Sequence, residues 1–106
     1  MTNDDTTDSI IDDAMDLQRI RKRIREIAAS PKNVHFDELA TLLDNHISAL
    51  FSNYNHHHSS SHHAFTVGSE TFTIAESKRG NLKEVYVKEF LNHMEAVGLY
   101  DPEEKP

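Results

Sequence analysis

The side chains with chemistry to offer are histidines: five of the eight, His56, His57, His58, His62 and His63, fall within residues 56–63. Imidazole exchanges protons near neutral pH and, when neutral, binds zinc, copper or nickel. Acid–base work and metal binding are therefore the two chemistries to weigh. Three adjacent histidines followed by three serines, His56 to Ser61, read as a flexible polar insertion in a surface loop, whereas a zinc site needs convergent ligands held by outer hydrogen bonds. Weak adventitious binding is the expectation for that run, with no dedicated metal and no cofactor assigned.

His62 and His63 differ from the others because they open an alternating run, His62 to Val67, and so acquire fixed positions. Alternation sends His63, Phe65 and Val67 to one face of a strand and His62, Ala64 and Thr66 to the other. His63, beside apolar neighbours, is the candidate general acid or base, and His62 is expected on the wetter face. A buried structural histidine is the competing reading of the same pattern.

The elements that must hold these residues follow from periodicity. Ile10, Ala14, Leu17, Ile20 or Arg21, Ile24 and Ile27 or Ala28 recur every three or four residues and predict a helix capped by Asp8 or Ser9. It should end near Ala29, because Pro31 disfavours helical geometry at Ser30. Phe36, Leu39, Leu43, Ile47 and Leu50 mark a second helix, while Ser48 to Tyr54 suit either its last turn or a short strand. His62–Val67 and Thr71–Glu76, joined by Gly68-Ser69-Glu70, read as a hairpin. Val87, Phe90 or Leu91, Met94 and Val97 predict a last helix, with Asn81 and Glu84 as a capping pair, Glu84 beside Lys88, and Gly98 at its end. The order helix, ambiguous segment, hairpin, helix belongs to the α+β class.

Composition narrows the function classes. The absence of cysteine excludes disulfides, thiolate nucleophiles and thiolate zinc sites. No apolar run is long enough for a signal peptide or a membrane span, so a cytoplasmic protein without membrane contact is expected. The net charge of -7 is concentrated at the ends, in Asp4, Asp5, Asp8, Asp12, Asp13 and Asp16 and in Asp101, Glu103 and Glu104. The body between them is nearly neutral, so any polyanion contact depends on a local basic patch. The run Gln18 to Arg25 offers either a phosphate-contacting helix face or an ordinary solvated one, its apolar stripe packing on the domain, a second copy or a partner. Lys78, Arg79, Lys83 and Lys88 gather at the start of the last helix, where free N–H groups also favour anions.

Three segments in order resemble the HicA family of toxins from bacterial toxin–antitoxin pairs: Asn33-Val34-His35-Phe36-Asp37-Glu38-Leu39 with Leu42-Leu43, Ser60-Ser61-His62-His63-Ala64-Phe65, and Lys83 to Leu91. The resemblance covers roughly residues 33–99. It implies a fold similar to double-stranded RNA-binding domains, α-β-β-β-α, with a small three-stranded antiparallel sheet packed on two helices. The helix before Pro31 is additional to that core. Implied organisation is an acidic tail over 1–8, disordered; the additional amphipathic helix over 9–30; a HicA-like domain over 31–100; and a polar tail over 101–106. The resemblance further implies metal-independent endoribonuclease activity on messenger RNA with His63 as the catalytic residue. Ser61, His62, Lys78, Arg79, Lys83 and Lys88 are the expected RNA-binding residues. A HicB-like antitoxin is the implied protein partner, and a homodimer or a toxin–antitoxin hetero-oligomer is the expected assembly. The alternative is a non-catalytic RNA- or protein-binding module on the same fold. Ser60 stands where the family's box has glycine, Asn45-His46-Ile47 replaces its Gly-Phe junction, and the segment between Leu43 and the box is longer.

Overall fold

The computed structural model describes residues 17–76 and 80–104. The proposed caps Asp8 and Ser9, and the basic residues Lys78 and Arg79, lie outside the described residues. Residues 17–29 form helix α1, which ends one residue before Ser30, as the restriction that Pro31 places on Ser30 requires. Its buried stripe is Ile20, Ile24 and Ile27, which join Val34, Leu39, Leu43, Phe65, Ile74, Val87 and Phe90 in one hydrophobic core. These three isoleucines are thus covered by the chain itself, whereas Leu17, expected on the same stripe, is exposed and Ile10 and Ala14 lie outside the described residues. Each such fully buried side chain contributes about 1.5–3 kcal/mol.

Helix α2 (Phe36–Asn45) buries Leu39, Leu42 and Leu43 and is followed by a single 3-10 turn, Ile47–Leu50. The segment after α2 therefore resolves as neither a further α-turn nor a strand. Ile47 reaches the core, but Leu50, expected on the inner face, is exposed, because the tighter turn rotates it away from the 3.6-residue stripe.

Strands β1 (Asn55–Ser59), β2 (His62–Val67) and β3 (Glu70–Ala75) make an antiparallel sheet in the order β1-β2-β3. Here the expected loop insertion is corrected: His56, His57 and His58 are the body of β1, paired in register with Phe65, Ala64 and His63. Three histidines in a row hid the strand because the composition is polar, whereas the pairing with β2 satisfies the backbone whatever the side chains are. The β1–β2 turn is Ser60-Ser61, with Ser60 in the left-handed region at φ 58°. A Cβ there costs about 1–2 kcal/mol and glycine's extra backbone entropy about 0.5–1. Ser60→Gly should therefore raise stability by about 0.5–1 kcal/mol, read as a later denaturant midpoint with unchanged slope. The β2–β3 turn is Gly68-Ser69, so β3 starts one residue earlier than expected, at Glu70.

Helix α3 (Glu84–Ala96) lies against the sheet through Phe90, whose ring meets Phe72 edge-on at 6.2 Å. Asn81 is not its cap: Lys83 holds that position without a side-chain bond, and Asn81 instead bridges to His35 beside the bond from Leu82 N–H to Val34 O at 2.7 Å. Glu84 and Lys88 pair at 3.7 Å, and the helix ends just before Gly98 at φ 85°. The fold is thus α+β, with the α-β-β-β-α order and a further helix before it. Among the described residues no helix is long and apolar enough to cross a membrane.

Candidate active site

β2 is the central strand, and its alternation places His63, Phe65 and Val67 on the helix-covered face, with His62 exposed on the other. His63 is 5% exposed. Phe36, the first residue of α2, covers it with ring centroids 4.3 Å apart, and His58, its cross-strand neighbour, lies nearly parallel to it at 4.0 Å. A polar group this enclosed must find partners, and both ring nitrogens do. Nδ1 is 2.8 Å from Nε2 of His56, and Nε2 is 2.9 Å from Oε1 of Glu76, the residue leaving β3. Glu76 is itself held by its backbone N–H, which donates to Ser61 O at 2.7 Å.

His56 extends the chain of contacts. Its ring stacks on Phe65 at 4.2 Å, and its Nδ1 lies 3.1 and 3.0 Å from the two carboxylate oxygens of Asp44, near the end of α2. The Tyr54 hydroxyl donates to the same carboxylate. Burial, then that hydrogen bond, then the charge of Asp44 push the Tyr54 phenol far above its ordinary range, so it remains a neutral donor. Asp44, His56, His63 and Glu76 thus form one hydrogen-bonded line running from a helix end, through two strands, to the residue after β3, with a carboxylate open to solvent at each end, the Asp44 side chain 37% and the Glu76 side chain 43% exposed.

Proton counting gives this line its chemistry. A carboxylate only accepts, so His56 carries its proton on Nδ1 toward Asp44 and His63 carries one on Nε2 toward Glu76. The contact between the imidazoles needs a third proton, and two neutral rings hold only two. With both rings neutral one of the three contacts therefore lacks its proton, and only a third proton or another cation would satisfy the whole line. Such a line can release a proton or take one up at its Glu76 end without breaking a contact elsewhere.

The other expected residues are placed as follows. Ser61 sits in the β1–β2 turn, where its carbonyl anchors Glu76, and His62 is exposed. Lys83 and Lys88 are exposed at the N-terminal end of α3. Lys83 follows Asn81 by two residues, Asn81 bridges to His35, and the next residue, Phe36, covers His63; the chain thus brings the start of α3 beside the histidine line. In the basic run of α1, Arg21 donates to Gly98 O and reaches Glu104 at 3.5 Å, Arg25 reaches Glu104 at 3.7 Å, and Arg23 pairs with Glu26. Those arginines spend their charge within the chain. The sequence reading missed Asp44, Tyr54, His56 and Glu76. It also missed His93, buried on α3 with Nε2 at 2.8 Å from Val67 O, where it is a core histidine bound to backbone. No protein-family model, curated protein or solved structure matches the chain.

Proposed function

We propose that the protein is a cytoplasmic HicA-like toxin, an endoribonuclease that cleaves messenger RNA by proton transfer at His63 and is restrained by a HicB-like antitoxin. The observation that carries this reading is the 2.9 Å contact of His63 with Glu76, an imidazole and an exposed carboxylate side by side at one end of the line. Metal-independent RNA cleavage needs that pairing of functions. A base removes the proton of a 2'-hydroxyl as its oxygen attacks phosphorus, an acid protonates the departing 5'-oxygen, and a 2',3'-cyclic phosphate remains. The Glu76 carboxylate is placed to accept the first proton and the His63 imidazolium to give the second. Asp44 and His56 orient His63 and share its charge.

Phosphate positioning falls to Lys83 and the uncapped N–H groups of α3, with Lys88 a lesser contributor because it already pairs with Glu84. Replacing Lys83 by Glu should weaken binding of single-stranded RNA and lower the slope of log affinity against log salt by about 0.7, the effect of one phosphate that the lysine no longer neutralises. Equal affinity and slope would remove Lys83 from the interface.

The direct test is incubation of the purified chain with an RNA transcript in a chelating buffer. Expected are fragments ending in cyclic phosphate and 5'-hydroxyl groups, with growth arrest on induced expression. A folded protein that binds RNA or a protein partner and leaves RNA intact would replace this reading with that of a non-catalytic binding module.

A further inference from the structure

The line of hydrogen bonds has a weak point at its Glu76 end, where an imidazole nitrogen faces an exposed carboxylate. When His56 and His63 are both neutral, Asp44 still fixes the proton of His56 on Nδ1, so His56 Nε2 accepts from His63 Nδ1–H. His63 Nε2 then holds a lone pair facing a carboxylate oxygen 2.9 Å away. Two acceptors at that distance repel unless a positive charge lies between them. A proton is one such charge. A metal ion is the other.

A third donor stands beside the pair. One ligand atom each from His58, His63 and Glu76 lie within 4.8 Å of one another, His58 and Glu76 both exposed and His63 buried. His58 Nε2 contacts the Ser60 carbonyl, which makes Nε2 the proton-bearing nitrogen and leaves Nδ1 with a free lone pair. His63 is backed in the same manner by His56 and, through it, by Asp44. A ligating imidazole whose other nitrogen is held by an acceptor and a carboxylate beyond it is the outer arrangement that metal-binding histidines use. Two imidazoles and a carboxylate are a donor set that zinc accepts, with a fourth position open to water. Tetrahedral bonds of about 2.0–2.1 Å set ligand atoms about 3.3 Å apart. The His63–Glu76 pair is already near that separation, and the exposed His58 and Glu76 side chains have room to close the rest.

We propose that His58, His63 and Glu76 form a zinc site whose occupation takes up the His63 Nε2 lone pair and so switches off proton transfer at His63. The inhibitory part rests on the ribonuclease reading; the binding part does not. His57 and His62, on the opposite face of the sheet, take no part in it.

The test is calorimetric titration of the full chain with zinc chloride at neutral pH, in two buffers of different ionisation enthalpy. Expected is one ion per chain, the two buffers separating any proton release from binding itself. His58→Ala and Glu76→Gln should each weaken binding at least about tenfold. Asp44→Asn, which touches no ligand, should weaken it about 10- to 100-fold through its hold on His56 and so on His63. The double variant His57→Ala/His62→Ala should bind as the parent does. Binding that is unsaturable, indifferent to His58→Ala, or lost in the His57/His62 double variant would overturn the site. In the RNA assay, zinc should inhibit the parent, and the inhibition curve of His58→Ala should move to zinc concentrations higher by about tenfold or more. One-to-one binding by a chain that never cleaves RNA would support the site and sink the ribonuclease reading alone; cleavage that stoichiometric zinc leaves untouched would overturn the switch.

Discussion

His63→Gln should lower the rate of RNA cleavage by about 10² to 10⁴ while the protein stays folded. Glutamine is close in size and offers an amide N–H and a carbonyl oxygen, so Phe36 and His58 keep a neighbour to pack on and Glu76 can keep a hydrogen bond. What it cannot do is exchange a proton. The buried partners it satisfies imperfectly, His56 above all, should cost about 1–3 kcal/mol of stability. The loss of activity, at about 1.4 kcal/mol per tenfold, is worth about 3–5.5 kcal/mol of transition-state stabilisation. The two are separable: circular dichroism and thermal unfolding follow the first, cleavage of a labelled transcript at saturating enzyme the second. A folded His63→Gln protein that cleaves at the parent rate would leave His63 a structural histidine, the reading its 5% exposure also permits.

The face on which His63 stands was legible because β2 alternates His-His-Ala-Phe-Thr-Val, and the apolar members fix the inward side. The helices were legible for the same reason, since leucine and isoleucine at three- and four-residue spacing record which way they face. His93 shows the limit of that signal: it occupies a buried position on α3, and the backbone carbonyl that satisfies it is 26 residues away in sequence. The partners of His63 were hidden in a similar way. His56 lies in a strand that takes its pairing from β2 and has no apolar residue of its own to announce a face. Asp44 is a polar residue near a helix end, and only the return of the chain through Tyr54 and β1 brings His56 to it. Glu76 becomes a partner because it follows the last pair of β3, Ala75 with His62, and its backbone N–H still bonds Ser61 O, which keeps its side chain on the face of Ile74 and His63. One clue was available. His56, His58 and His63 share a face once β1 is read as a strand closed on β2 by the two serines, and histidines on one face of a hairpin are a cluster.

Asp44→Asn should lower the catalytic rate by about 10²-fold or more without touching RNA affinity, because it changes where protons sit. Asp44 can only accept, which holds the His56 proton on Nδ1 and means that the imidazole pair satisfies every contact only with a third proton. An asparagine amide can donate to Nδ1. His56 is then free to carry its proton on Nε2, donate to His63 Nδ1, and let His63 donate from Nε2 to Glu76. Every contact is satisfied with two protons, and the need for the third one, the acid of the proposed reaction, is gone. Nitrogen-15 spectra of the imidazoles report this directly: His56 should change from Nδ1–H to Nε2–H, a change that mere loosening of the fold does not produce. Tyr54 is an internal control. The charge of Asp44 is one of the causes that raise its titration, so in the variant the phenol should titrate lower than in the parent, with burial and a hydrogen bond to the amide oxygen still holding it up. His56→Phe should match the rate loss, since it preserves the stack on Phe65 while deleting both nitrogens. Because Asp44 and His56 act only through His63, the Asp44→Asn/His56→Phe double variant should be no slower than the worse single variant, where independent roles would multiply. Multiplicative losses, or a parent-like rate in Asp44→Asn, would dissolve the line into separate structural contacts.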